Sequence, residues 1–238
     1  MSTIKRKRNG SSSGKTSTIE YNSNKPVDQV PMGELHGCLY LDRVAGISNV
    51  FSKAQCTGII NTALNTWVEQ ESMIQKKIEQ TFEQELDYRN TTLFVPREND
   101  EWLSNKILET IQSFNNGKQG YGFSIKGLLE PPCLMRYQAS DINKHGKPGK
   151  YDWHLDIGPS TVTSIRKISY SILLNYGEYE GGEFITKISK NDDSFEKNNN
   201  PEVGIMILFP SFMLHRVTEV TKGTRYVLVG WVHGDSFR

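Results

Sequence analysis

Three residues of metal-binding type stand out in this chain: His154, Asp156 and His215. The first two lie in Tyr151-Asp-Trp-His-Leu-Asp156, and the third ends Phe209-Pro-Ser-Phe-Met-Leu-His215. Successive side chains of a strand point to opposite faces, so His154 and Asp156 share one face and can bind the same cation. Two imidazoles and one carboxylate form the facial triad of non-haem iron sites, which leaves positions open for other ligands. The spacing therefore predicts a metal site.

Arg225 is the second unusual residue, because it precedes the apolar run Tyr226-Val-Leu-Val-Gly-Trp231. A guanidinium that faces a core is costly unless it is paired. Arginine binds carboxylates through two parallel hydrogen bonds, so one interpretation is a site for an anionic cosubstrate beside the metal. The alternative is a strand-end arginine that reaches solvent, or an ion pair with an acid such as Glu219. The neighbouring metal-ligand pattern favours the cosubstrate.

Aromatic residues near these positions are candidates for the same pocket. Tyr137 precedes the His-x-Asp pattern on a neighbouring predicted strand, where its hydroxyl can bond a cosubstrate. As an isolated tyrosine it would be an ordinary core aromatic. Tyr170 is a similar but weaker candidate, and Trp231, although more simply a packing residue, is also a possible lining residue of the pocket. A His and an Asp two residues apart are by themselves a weak metal-binding motif. Their position on a predicted strand makes the prediction of a metal site stronger.

Composition narrows the class of protein. The 238 residues allow one sizeable core, or one domain with a tail. A net charge of +1 gives no strong nucleic-acid signal. No apolar run approaches the ~20 residues that a membrane span needs. The three cysteines are odd in number and far apart, which argues against a disulfide framework or a structural zinc site. We therefore expect a cytoplasmic or other reducing intracellular compartment.

The N-terminal segment differs from the rest of the chain. Residues 1–30 carry six Lys or Arg against two acidic residues, and residues 1–33 offer little to bury, so this segment is predicted to be a disordered basic, Ser-rich tail. Lys5-Arg-Lys-Arg8 leaves a nuclear address open, although a simple solvated tail is favoured. Residues 34–238 are predicted to form the functional domain.

The pattern over residues 34–238 predicts helices followed by strands. A strand over 38–41 precedes a helix that Ser52 caps, with Gln55 as its capping-box partner. Residues 69–84 are a predicted surface excursion, and a second helix ends near Asn115-Asn-Gly117. Strands are predicted over 134–137, 151–156, 167–175, 183–188 and 204–209, with loops over 141–150 and 190–200, and residues 213–220 and 224–233 are predicted to form a hairpin. This order favours an α+β fold with helices against an antiparallel sandwich or jelly roll.

From Met135 to Trp231 the chain resembles the Fe(II)/2-oxoglutarate-dependent dioxygenases, in their prolyl 4-hydroxylase-like branch. The matching stretches are Arg136-Tyr137, Tyr151-x-x-His154-x-Asp156, residues 166–175, Tyr179-Glu-Gly-Gly-Glu-Phe184, Phe209-Pro-Ser-x-x-x-His215 and Arg225-Tyr226, and residues 50–60 resemble the helix before the barrel. The resemblance implies a double-stranded β-helix (jelly roll) with N-terminal flanking helices. It implies that His154, Asp156 and His215 bind Fe(II), that Arg225 binds the distal carboxylate of 2-oxoglutarate, and that Tyr137 lines the cosubstrate pocket.

The chain departs from that family in two places. The loop between Tyr137 and His154 is long and lysine-rich. Some relatives have a 2-oxoglutarate-contacting tyrosine two residues before the position of Asn175, where this chain has Leu173. Tyr170 is no obvious substitute, because it points to the opposite strand face from Leu173.

The resemblance implies an enzyme that uses Fe(II), 2-oxoglutarate and O₂, with ascorbate as an optional reductant. The predicted reaction is hydroxylation of a substrate C–H, foremost in a prolyl residue of a peptide or protein. The substrate could instead be a free amino acid or other small molecule; a closed lid made by 85–97 or 141–150 would favour it, and an open groove would favour a peptide. Two further hypotheses are a non-catalytic jelly-roll binding protein and a cupin-like enzyme that uses a metal without 2-oxoglutarate. The cupin-like enzyme would not need Arg225.

Overall fold

The computed structural model describes residues 41–71, 74–75, 82–83, 85–188 and 191–236. The predicted tail over 1–33 and most of the predicted strand over 38–41 lie outside these ranges. The division at residue 33 and the cellular compartment stay predictions. Within the described residues, no helix is both long enough and apolar enough to cross a membrane.

The elements are numbered in chain order. The helices are α1 (Lys53–Thr66), α2 (Glu101–Asn115) and α3 (Phe195–Asn199), and Thr163–Ile165 forms a 3₁₀ turn. The strands are β1 (Ala45–Ile47), β2 (Val68–Glu71), β3 (Ile74–Gln75), β4 (Phe82–Glu83), β5 (Arg89–Asn90), β6 (Thr92–Val95), β7 (Ile125–Gly127), β8 (Cys133–Gln138), β9 (Lys150–His154), β10 (Arg166–Leu173), β11 (Glu180–Gly181), β12 (Phe184–Ile188), β13 (Asn191–Ser194), β14 (Met206–Pro210), β15 (His215–Val217), β16 (Val220–Lys222) and β17 (Thr224–Gly234).

Two antiparallel sheets face each other. The larger sheet has the order β1-β14-β10-β17-β8-β6-β2, with β7 also paired to β17, and the smaller has the order β13-β12-β15-β9-β5. Leu173, Ile207 and Val227 of the larger sheet share one buried cluster with Phe184 and Val217 of the smaller. The fold is therefore a sheet-rich sandwich with few helices, consistent with the predicted jelly roll.

The two long helices cover the other face of the larger sheet. Ser52 caps α1 with Gln55 as its capping-box partner, as predicted. Asp100 caps α2 by accepting a hydrogen bond from Leu103 N. The buried side of α2, which includes Ile107 and Ile111, joins an apolar cluster with residues of the sheet such as Ile168, Ile172 and Leu134. Helical periodicity in the sequence correctly identified both helices.

Three details of the predicted strand pattern are wrong. Residues 213–220 and 224–233 do not form a hairpin, because β15 pairs with β12 and β9 and β16 with β11, whereas β17 pairs with β7, β8 and β10. The predicted loop over 190–200 contains β13 and α3. The strand predicted over 151–156 ends at His154. Alternation of apolar residues indicates a strand but carries no information about its partner, and the chain changes sheets between β15 and β17.

Candidate metal centre and cosubstrate pocket

The structure brings the three predicted ligands together. Potential ligand atoms of His154, Asp156 and His215 all lie within 4.8 Å of one another. Nε2 of His154 is 3.7 Å from Asp156 Oδ1, and Nε2 of His215 is 3.6 Å from Asp156 Oδ2. The strand register explains the meeting, because His154 at the end of β9 lies opposite His215 at the start of β15.

A register shift in β9 shapes the wall beside His154. Val217 lies opposite Tyr151 while His215 lies opposite His154, so β9 contains one residue more than β15 over this stretch. Tyr151 and His154 therefore point to the same side although they are three residues apart. Their rings stack with centroids 3.5 Å apart and an interplanar angle of 12°. The bulge fixes the plane of the His154 imidazole, a candidate metal ligand, by packing.

Both histidines are held in the tautomer that would let Nε2 bind a metal. His154 Nδ1 lies 2.7 Å from Asp152 O, and His215 Nδ1 lies 2.8 Å from Met213 O. A carbonyl oxygen only accepts, so each Nδ1 carries the proton and each Nε2 presents a lone pair toward Asp156. Burial, together with the neighbouring His215, lowers the pKa of His154 to about 3, so this ring is neutral at neutral pH.

Asp156 is positioned by residues that the sequence did not single out. Its N–H donates to Ser211 O at 3.0 Å, and its carbonyl accepts from Arg166 Nη1 at 2.9 Å. Burial alone would raise the pKa of its carboxyl, yet that pKa is lowered because His215, His154 and the Ser169 hydroxyl favour the carboxylate. Asp156 is therefore a carboxylate on a fixed backbone, as a metal ligand would need to be.

Arg225 is fully buried, with no exposed surface. Among the described residues, its Nε, Nη1 and Nη2 atoms have no hydrogen-bond partner. Its guanidinium carbon is 5.2 Å from the Tyr137 ring centroid and 6.0 Å from that of Tyr179. The alternative ion pair with Glu219 is wrong, because that carboxylate binds Lys150 at 3.1 Å. A buried guanidinium whose three nitrogen atoms have no partner among the described residues fits a carboxylate ligand such as that of 2-oxoglutarate.

Glu196 interacts electrostatically with Arg225. The sequence did not indicate this, because Glu196 lies in residues 190–200, which were predicted to be a loop. It lies in α3, and its Oε2 accepts a hydrogen bond from Phe184 N at 2.9 Å. Burial raises the pKa of Glu196, and the charge of Arg225 opposes that rise. The short helix thus supplies a partly compensating acid without occupying the donors of the guanidinium.

One cavity of about 220 Å³ is lined by the three candidate ligands, Arg225 and Tyr137. Trp231 and Tyr170, predicted as pocket-lining, also contact it. The ring of Tyr170 nevertheless belongs to the apolar cluster on the helix side. Leu173, the third possible lining residue, packs in the cluster between the sheets and is not among the residues that line this cavity, so the two point to opposite faces as predicted. The cavity therefore joins the candidate metal site to Arg225.

A charged network forms another wall of this cavity. Arg166 binds Glu130 through two hydrogen bonds, from Nε at 2.8 Å and from Nη2 at 2.5 Å. The same guanidinium lies 3.5 Å from the Trp231 ring centroid. His233 Nδ1 accepts from Leu129 N at 3.2 Å, so its Nε2 carries the proton and donates to Glu130 at 3.0 Å. Sequence reasoning missed this network, since its members lie far apart in the chain.

Comparisons with known proteins agree with this geometry. Residues 140–233 match the 2OG-Fe(II) oxygenase superfamily. A PKHD-type hydroxylase of Prochlorococcus marinus (strain MIT 9301) is 32% identical over 60% of this chain and 55% of its own length. A PKHD-type hydroxylase of Crocosphaera subtropica is 45% identical over 28% of each chain. The chain thus spans about half or less of the length of these two relatives.

Solved structures share the fold at low sequence identity. A prolyl hydroxylase from Trichoplax adhaerens, in complex with a hypoxia inducible factor peptide fragment, has a TM-score of 0.60 at 17% identity, over 80% of this chain and 83% of that one. A Pseudomonas putida prolyl-4-hydroxylase has a TM-score of 0.53 at 14% identity, over 81% and 93%. The resemblance predicted from the sequence is confirmed: this chain is similar to the 2OG-Fe(II) oxygenases over residues 140–233, and it shares its fold with prolyl hydroxylases of known structure.

Proposed function

We propose that this protein is an Fe(II)- and 2-oxoglutarate-dependent dioxygenase that hydroxylates a prolyl residue of a peptide or protein. The observation that carries the proposal is the fully buried Arg225, whose donors have no partner among the described residues, beside the converging His154, Asp156 and His215. In this proposal the sandwich is the double-stranded β-helix of the family.

Each site residue has a defined task in this proposal. His154, Asp156 and His215 hold Fe(II), and the backbone carbonyls bound at Nδ1 of the two histidines orient each ring so that its Nε2 faces the metal. Arg225 binds the distal carboxylate of 2-oxoglutarate, and Tyr137 closes the pocket beside it. Bound Fe(II) and 2-oxoglutarate together supply the oxidation by O₂ that yields succinate, CO₂ and a hydroxylated substrate. The protein supplies coordination, orientation and exclusion of water.

The rival functions explain less of the site. A cupin-like enzyme that uses a metal without 2-oxoglutarate has no use for a buried Arg225 with free donors. A non-catalytic binding protein has no use for two imidazoles whose Nε2 lone pairs converge on one carboxylate. The choice of a prolyl substrate rests on the prolyl 4-hydroxylase-like relatives, and a free amino acid stays the alternative.

Succinate formation from 2-oxoglutarate tests the proposal. The full chain, supplied with Fe(II), ascorbate and O₂, should convert 2-oxoglutarate to succinate, followed by NMR, and proline-containing peptides should raise the rate. His154→Ala and Asp156→Ala should abolish this conversion and weaken Mn(II) binding measured by calorimetry. His145→Ala, in the loop before β9, is the matched control and should leave both unchanged. Succinate formation that persists without the triad would refute the assignment.

Arg225→Gln separates the cosubstrate site from the metal site. Loss of two charge-assisted hydrogen bonds should raise the 2-oxoglutarate concentration needed for half-maximal turnover by about 100-fold or more. Mn(II) binding should be retained, because Arg225 is not a ligand. Equal 2-oxoglutarate binding by the variant and the wild type would show that the role given to Arg225 is wrong.

A further inference from the structure

Arg89 is a second arginine of the active-site cavity whose role the oxygenase reaction does not explain. It lies in β5, opposite Tyr151 of β9, and it lines the cavity. Its guanidinium carbon is 4.4 Å from the Tyr151 ring centroid. The imidazole of His154 covers one face of that ring, so Arg89 covers the other. Arg89, Tyr151 and His154 therefore form a stack that leads from the outer wall of the cavity to the candidate metal centre.

Arg89 differs from the two other arginines of the cavity in having no assigned partner. Arg166 is neutralised by Glu130, and Arg225 serves the cosubstrate in the proposed function. Over the residues that the structure describes, no carboxylate lies within 4.0 Å of the Arg89 nitrogens, and its buried Nε has no hydrogen-bond partner. Two nearby acids are engaged elsewhere: Asp87, two residues before Arg89, binds Lys147 at 2.6 Å, and Asp152, which follows Tyr151, accepts from Trp153 N.

Arg89 is the charged group of the cavity that has no counter-ion beside it among the described residues. Arg166 and Glu130 cancel each other. In the proposed complex the Asp156 carboxylate and the two carboxylates of 2-oxoglutarate offset Fe(II) and Arg225, and the further acid Glu196 acts on Arg225. Arg89 is then the cation of this partly enclosed site with no carboxylate beside it, and its attraction for an anion is stronger there than in bulk water.

We infer that Arg89, held over the Tyr151 ring, binds a carboxylate of the substrate, so that the substrate carries an acidic group close to the carbon that is hydroxylated. Stacking restricts the planar guanidinium, which can then bind a carboxylate with little further loss of conformational freedom. Because the stack ends at His154, it places that carboxylate at a fixed distance from the metal centre. This inference rests on the proposed function.

Two pairs of compounds test the inference and distinguish a peptide from a small molecule. The first pair consists of proline-centred peptides, amidated at the C-terminus, in which each flanking position in turn carries Glu or the isosteric Gln. The second pair is L-proline and L-prolinamide. We expect the acid of one pair to exceed its amide by about tenfold or more in stimulating succinate formation and in binding, measured by calorimetry. Preference in the peptide pair assigns the carboxylate to a peptide side chain, and preference in the second pair assigns it to a free amino acid.

Arg89→Gln should abolish the preference for acid over amide, and Arg89→Lys should keep part of it. The preference is a ratio, so a general loss of activity in a variant does not imitate its collapse. The matched control is Arg216→Gln, since Arg216 also covers an aromatic ring of β9, that of Trp153, at 4.7 Å. This control should keep the preference.

Two results would overturn the inference without affecting the proposed function. One is succinate formation by the wild type with no preference for either acid. The other is a preference that Arg89→Gln retains. A wild-type protein that forms no succinate from 2-oxoglutarate would instead refute the proposed function, and the inference with it.

Discussion

The two faces of the larger sheet are built from different kinds of residues. The face under α1 and α2 is covered by an apolar cluster that includes Phe51, Ile107, Ile111 and Ile168. The face toward the smaller sheet also buries apolar residues, but it contains Arg225 and lies over the candidate metal ligands, among them the buried His215. One face therefore supplies stability, and the other holds polar groups that a ligand can satisfy.

This division explains how the fold tolerates an unfavourable site. A buried cation with unpartnered donors costs several kcal/mol, as does any buried charge that lacks a counter-ion. The apolar face of the same sheet can offset that cost, since a buried aliphatic side chain contributes about 1.5–3 kcal/mol. Changes on the two faces should therefore have opposite effects on the free energy of unfolding.

The largest effect is expected on the helix side. Ile107 of α2 is fully buried, and Ile107→Ala removes its contacts and leaves a cavity. The free energy of unfolding should fall by about 2–5 kcal/mol, measured by urea denaturation. Leu64→Ala, on the exposed side of α1, is the matched control and should change it by less than about 0.5 kcal/mol. Mn(II) binding by folded Ile107→Ala should equal that of the wild type, and a loss of metal affinity would contradict the separation of the two faces.

The opposite sign is expected at Arg225. Without 2-oxoglutarate, Arg225→Met should raise the free energy of unfolding by about 1–4 kcal/mol, because an apolar side chain of similar length replaces a buried charge. Glu196 can respond by taking up a proton, since burial already raises its pKa. Arg136→Met is the matched control. Arg136 lies in β8 opposite Tyr226, the residue that follows Arg225 in β17, and it forms an ion pair with Glu69. Because this charge is already paired, its loss should not raise the free energy of unfolding.

The cosubstrate should narrow or reverse the difference in the free energy of unfolding between the wild type and Arg225→Met. At about 100 times its dissociation constant, a ligand that binds only the folded state stabilises it by about 2.7 kcal/mol. Wild type should gain this stabilisation from 2-oxoglutarate with Mn(II), and Arg225→Met should not. If both proteins gained equally in a thermal unfolding experiment, Arg225 would not be the carboxylate-binding residue.

More of the helix-side face of the larger sheet could be predicted from the sequence than of the face toward the smaller sheet. The Ser52 capping box and the apolar period of α2 are local signals, and local signals determine helices. The His-x-Asp pair and the distant His215 were also readable, because their residue types carry the chemistry. The residue types, together with the resemblance to a known family, thus predicted that these three residues lie together in the structure.

The residues that surround and position the candidate ligands could not be predicted from the sequence. Arg166, Glu130 and His233 meet only because β17 lies beside β10 and β7 in the larger sheet, and the hairpin wrongly predicted for residues 213–233 concealed the position of β17. Arg89 carried no signal, since a lone arginine after a polar excursion is typical of a surface. Partners that are distant in the chain are determined by strand order, which periodicity does not encode.

The smallest effect compares two buried tyrosines of the helix-side cluster. The Tyr121 hydroxyl lies 2.8 Å from Leu208 O and 2.9 Å from Arg43 O, so Tyr121→Phe should lower the free energy of unfolding by about 1 kcal/mol. The Tyr170 hydroxyl is buried without a partner among the described residues, against Gly230, where a Cβ would collide with it. Tyr170→Phe removes an unsatisfied group from the same ring and should leave that free energy unchanged or raise it. Both variants are measured in the same urea titration. Equal losses would mean that the Tyr170 hydroxyl has a hydrogen-bond partner in solution and that its burial does not lower the free energy of unfolding.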